Sequence, residues 1–214
     1  MQFVARTPTP NILIKNETRW VTELREARTK KDEALFKSRQ GRYAHKSIRD
    51  SLNNMFHGKC AFCESKIGAV ATPHIEHFRP KNIYISLTYK WTNLLLSCPI
   101  CNNPSHKGKI FHRTASGDPL IDPSVEDPSL HLDFIFDLKS RFALVSGKTA
   151  RGKLAIEVFG LNSRIDLLRE RSEYIWSLLV HKAVSNQNPD SAQIVQAALK
   201  DSSRYYSFSD KLLR

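Results

Sequence analysis

"CAFCESKIGAVATPHIEHFRPK", Cys60–Lys81, opens with two thiols at C-x-x-C spacing and closes with two histidines, a carboxylate and two cations. A lone C-x-x-C is ambiguous, but a second one, "CPIC", stands at Cys98–Cys101, 34 residues (64–97) further on. These four cysteines are the chain's full complement. Reduced buried thiols and a redox pair are the alternatives, yet two pinched pairs suit tetrahedral zinc best in a reducing compartment. Four thiolates from Cys60, Cys63, Cys98 and Cys101 close the coordination sphere, so such a zinc is structural and any chemistry lies elsewhere. Metal binding of this kind contributes on the order of 10 kcal/mol to folding. It would staple together the two ends of an insert with few large apolar residues.

Outward from this block the chain reads as mixed α+β. Residues 1 to about 16, with Pro8 and Pro10, read as an extended arm. Residues 17–40 have strong helix propensity, with Trp20, Leu24 and Leu35 as sparse apolar points, and Gly41 interrupts them. Ile48, Leu52 and Met55 fall at helical spacing and predict an amphipathic helix over 43–56. Downstream, "ASGDPLIDPSVEDPSL" is a loop by its Asp and Pro repeats, and "LDFIFDL" and "RFALVSG" flank Lys139-Ser140 as a hairpin. Helices resume at Ala150. Gly160 sits where a helix ends, Asn162 or Ser163 is placed to cap the next, and Ile165, Leu168, Ser172, Ile175 and Leu179 share one face. A last helix is expected over 191–200. The segments are thus 1–57 (arm and helices), 58–113 (motif block), 114–149 (connection and hairpin) and 150–214 (C-terminal helices).

The 214 residues are 41% apolar and 25% charged, a globular balance, and carry a formal charge of +12. Such an excess favours polyanions, above all nucleic acid. No apolar run is long enough to span a bilayer and the first residues lack a secretory pattern, so a cytoplasmic protein is the expectation.

Glu76-His77, Asn93 in "WTNLLLSC" and Asn102 directly after "CPIC" together resemble the HNH (ββα-metal) endonuclease motif, in the branch bracketed by two C-x-x-C pairs. The resemblance implies two strands and a helix around one divalent cation. It makes His77 the general base, with Asn93 orienting its ring, and Glu76 and Asn102 hard oxygen ligands for Mg2+ or Mn2+. His106, four residues after Asn102, shares its face if that segment is helical and is a further metal candidate; Pro104 stands against an early helix start. An imidazole ligand shifts preference toward manganese, nickel or zinc. Arg79, Lys81, Lys107 and Lys109 are candidate phosphate contacts, with a solvated cationic surface as the alternative. His74 reads either as a contact to substrate or to the outer metal shell, or as a solvated strand residue. In a strand His74 and Glu76 face one way and His77 the other, so a bulge or the strand end must join Glu76 to His77.

The resemblance narrows further. "GKCAFCESK", "IEHFRPK", "YKWTNLLLSCPICNNPSHKGKIF", "DPLIDPSVEDPSLHLDF" and "VFGLNSRIDLLRERS" occur in that order, covering about residues 42–175. They are similar to the HNH nuclease subunit of Septu-type antiphage systems, which also accompanies some retrons. This implies an ABC/AAA-like ATPase partner that restrains the nuclease, with the N-terminal arm and C-terminal helices, Trp176 among them, as available surfaces. DNA is the favoured substrate. RNA such as tRNA, and a zinc-stapled nucleic-acid-binding or adaptor protein without catalysis, stay open.

Overall fold

The computed structural model describes residues 1–68 and 71–214. Its class is α+β. Helices α1 (Asn11–Thr29), α2 (Glu33–Gln40) and α3 (Lys46–Met55) precede a two-stranded antiparallel sheet of β1 (His74–His77) and β2 (Leu94–Ser97). A second such sheet, β3 (Leu132–Asp137) and β4 (Phe142–Gly147), is followed by α4 (Ala150–Phe159), α5 (Ile165–Val184), α6 (Pro189–Ala198) and α7 (Tyr206–Leu213).

The extended arm is shorter than expected. Helix α1 begins directly after Pro10, six residues before the expected start, because Leu13 is apolar and buried in the core beside Trp20 and Leu24. The expected long helix breaks at Lys30–Asp32, where Lys31 takes a positive φ of 54° and Asp32 caps α2 by accepting from Leu35 N at 2.9 Å. Ile48, Leu52 and Met55 are all buried, as their spacing predicts.

Strands β1 and β2 pair without a bulge: Glu76 lies opposite Leu95 and His77 opposite Leu94. After the second cysteine pair the chain departs from the ββα expectation, since residues 99–109 form consecutive turns rather than a helix. Pro104 bars Asn103 from the helical region, and Asn103 Oδ1 accepts from Ser105 N at 2.9 Å, a turn closed by its own side chain. Gly108 completes the reversal at φ 52°, with Pro104 Cα only 3.0 Å from where a Cβ would stand.

The hairpin forms as read, and Gly160 ends α4 at φ 56°. Asn162 does not cap α5. Its amide pairs instead with Val145, accepting from the backbone N at 2.9 Å and donating to the backbone O at 2.8 Å, so that it extends the edge of β4. On α5, Leu168, Ser172 and Ile175 are buried as predicted, whereas Ile165 is exposed. Trp176 lies stacked on Phe136 with ring centroids 5.8 Å apart. The final helix α7 was not expected; its Phe208 packs edge-on against Phe134 of β3. One buried cluster runs through Leu24, Leu52, Leu95, Phe134, Phe159 and Phe208, drawing on every region of the chain. Among the described residues no helix is long and apolar enough to cross a membrane.

Candidate active site and metal centre

Both C-x-x-C turns flank the β1–β2 sheet, which carries their thiols into one place. Ala61 N donates to Leu96 O at 2.8 Å, docking the first turn onto β2. Cys98 directly follows β2, and Cys101 N donates to Cys98 Sγ at 3.4 Å. All four sulfurs lie within 4.8 Å of one another and are buried. Cys63 and Cys98 Sγ are 3.9 Å apart. A tetrahedron with metal–sulfur bonds of about 2.3 Å has edges of about 3.8 Å, so the set fits a metal ion such as zinc. The electrostatics agree. Burial pushes the Cys60 thiol up, its sulfur neighbours push Cys101 up, and hydrogen bonding from Cys101 pulls Cys98 down. Four crowded sulfurs cannot all ionise without a cation among them. Arg164 supplies part of that charge from outside, donating from Nη1 to Cys101 Sγ at 3.2 Å. Sequence reading missed Arg164, which lies 63 residues from Cys101 with no local signal linking them.

Glu76 and His77 end β1 on alternate faces. Glu76 is buried and its carboxylate is in an ion pair with Lys107 Nζ, which also donates to His77 O at 2.9 Å. Lys107 is therefore not a phosphate contact here. Its side chain is 1% exposed, because burying Glu76 as an ion requires a partner and Gly108 turns the chain to bring one. Burial raises the Glu76 carboxyl, an effect Lys107 opposes. The strand carries no bulge, and Lys107 links the Glu76 carboxylate to the His77 backbone carbonyl alone, leaving the imidazole on the other face.

His77 is buried edge-on against Tyr43, ring centroids 4.6 Å apart, and its Nε2 lies 2.9 Å from Thr88 O. Burial lowers its pKa to about 3, so the ring is neutral near neutral pH. With Nε2–H donating to Thr88, Nδ1 is left as the acceptor. Asn93 does not touch this ring. Its Oδ1 accepts from Arg79 N at 2.8 Å, and its Nδ2 donates to Arg79 O at 3.0 Å and Leu87 O at 3.1 Å. It thus clamps the backbone just beyond His77 to the turn that presents Thr88.

The Asn102 amide nitrogen lies 3.2 Å from His74 Nδ1, on the β1 side that also bears Glu76. His106 turns away from this group. Its Nδ1 lies 2.9 Å from Val158 O and its Cε1 packs beside Gly160. In consecutive turns, residues four apart need not share a face, and here they do not. Lys81 sits over the Tyr43 ring at 4.1 Å, with Nζ donating to the Tyr43 hydroxyl at 2.9 Å. Arg79 is half-buried and Lys109 exposed. Tyr43 and Thr88 were also missed by sequence reading. Tyr43 reaches Lys81 across 38 positions, and Thr88 acts through its carbonyl, which any residue carries.

No family model matches the chain. It is similar to two curated proteins, both named Septu protein PtuB. One, from Bacillus mycoides strain KBAB4, is 34% identical over 161 residues, 61% of this chain and 52% of the relative. The other, from Bacillus thuringiensis, is 35% identical over 117 residues, 54% of this chain and 41% of the relative. The chain thus spans about half the length, or less, of the curated relatives it matches.

Proposed function

From this PtuB-like similarity, we propose that the chain is a metal-dependent HNH endonuclease, the effector of an antiphage defence complex with an ATPase, and that it hydrolyses phosphodiester bonds, in DNA by preference. The observation that supports the reading most is a buried carboxylate and a neutral imidazole on successive residues at the end of one strand, in a sheet flanked by the four-cysteine cluster. Zinc is the ion proposed for the cysteines.

Glu76 and Asn102 are the proposed oxygen donors for a catalytic Mg2+ or Mn2+. The cation would supply Lewis-acid charge at the phosphate. The Lys107 ammonium now neutralises Glu76 and must yield for a cation to reach that carboxylate. His106 would join only by leaving Val158. His77 Nδ1 would take the proton of the attacking water as the P–O bond forms and the sugar oxygen leaves. A pKa near 3 makes it a weak base in the free protein; the charge of an arriving phosphodiester raises it. Arg79, Lys81 and Lys109 remain the proposed phosphate contacts.

The Glu76–Lys107 pair also favours a second reading, a metal-stapled nucleic-acid-binding protein without catalysis. Purified protein incubated with plasmid and with tRNA, with magnesium or manganese and with EDTA, separates the two. Cleavage by the wild type, and its loss by at least about 100-fold in His77→Ala with the fold and bound zinc retained, is the expected result. Cutting by His77→Ala at the wild-type rate removes the base assignment.

A further inference from the structure

Beside His77, β1 runs into a cluster of which the nuclease reading uses only Arg79, as a phosphate contact. The Arg79 guanidinium lies 5.0 Å from the Phe111 ring centroid and 5.5 Å from that of Tyr84, and the Arg113 guanidinium lies 4.7 Å from Phe111. Phe111 meets Tyr84 and the buried Phe78 edge-on, at 5.6 and 5.9 Å. Exposed isoleucines adjoin both outer rings in sequence: Ile83 is 57% and Ile110 56% exposed.

Three features make this more than a packed corner. Among the described residues, neither Arg79 nor Arg113 has a carboxylate partner, and the Arg79 guanidinium makes no hydrogen bond to the protein. Its planar donors are thus held over aromatic rings with their polar edge unspent. The Arg79 backbone is pinned at both N and O by Asn93, which fixes the cluster two residues from His77. The Tyr84 and Phe111 rings and the two arginine planes are half-buried or exposed, and these planar groups with positive charge suit the π-faces and the phosphates of nucleic acid together. A duplex hides its base faces in its own stack and offers only edges and backbone. A stacking surface therefore selects unpaired bases.

We propose that Arg79, Tyr84, Phe111 and Arg113 form a stacking platform for unpaired nucleobases, so that single-stranded nucleic acid is the ligand this site prefers. The inference rests on the nucleic-acid part of the proposed function and not on cleavage, so its test reads binding alone.

The full chain, without added divalent metal, is titrated into a fluorescein-labelled oligothymidylate and into a duplex of equal length, followed by anisotropy. The wild type should bind the single strand more tightly. Phe111→Ala should weaken single-strand binding about tenfold and duplex binding less than twofold, and Phe111→Trp should restore it. A strand carrying 2-aminopurine should be quenched by the wild type and not by Phe111→Ala. If Phe111→Ala unfolds, Arg113→Gln, at an exposed position, should give the same selective loss. Equal losses on both ligands, or none in either variant, overturn the platform while leaving nucleic-acid binding intact. No binding of either ligand by the wild type overturns both readings.

Discussion

The His77 imidazole is held by Thr88 O and the edge of Tyr43, and burial sets its charge. With its pKa near 3 in the folded chain and about 6.5 when unfolded, the unfolded state binds a proton that the folded state refuses over that range. Stability from this residue is therefore fully present above about pH 6.5 and falls as pH drops toward 3. Glu76, whose carboxyl is raised, acts with the opposite sign above its ordinary value of 4.5. The comparison must accordingly be made against a variant lacking only the imidazole. From about pH 7 to about pH 5, the wild type should lose about 2 kcal/mol more than His77→Gln, read from urea midpoints. Equal losses would mean that the ring is hydrated and protonates freely. At the same scale, Lys107 shows why a cation near a motif is not automatically a substrate contact: a buried carboxylate needs the charge first.

Helix α4 is joined to the loop before it by side chains that no periodicity reports. Arg151 donates from Nε to Pro119 O at 2.7 Å, from Nη2 to Leu120 O at 3.0 Å and from Nη1 to Glu126 at 2.7 Å, fixing the Asp/Pro-rich connection against the helix. Gly152, one residue on, lets the His131 carbonyl approach so closely that a Cβ would stand 2.0 Å from its oxygen. Alanine in a helix ordinarily gains up to about 1 kcal/mol over glycine. Here the clash with backbone reverses the sign, and Gly152→Ala should destabilise by about 2 kcal/mol in denaturant melts. Gly41→Ala is the contrast. Its φ is −65° and nothing lies within 4 Å of the added carbon, so that substitution should be neutral or stabilising. The β1–β2 pair was expected from the motif resemblance alone; the β3–β4 hairpin and α3 were legible because alternation and three-four spacing are local. The turns over 99–109 were not, since a single proline outweighed the helix that the resemblance implied.

Across the whole molecule, the four-cysteine centre fastens the β1–β2 sheet to the C-terminal helices, with Arg164 beside the sulfurs and Phe62 of the first knuckle stacked on Phe159 of α4 at 4.1 Å. The purified chain should hold one zinc by elemental analysis. Cys98→Ser or prolonged chelation should release it and unfold the protein at room temperature by circular dichroism, since the ion contributes on the order of 10 kcal/mol. A chelated chain with an unchanged melting temperature would show that the core stands without the ion. The amino-acid sequence by itself determined the α+β class and the two cysteine knuckles. Each of these is written in spacing over a few residues, or in the count of a residue type too reactive to be idle. Only the tertiary structure decided that Lys107 neutralises Glu76, that Asn93 clamps Arg79 rather than the imidazole, that His106 faces α4, and that two arginines lie on Phe111. Those outcomes depend on which buried charge finds which partner across tens of residues, a competition settled by burial and not by order along the chain.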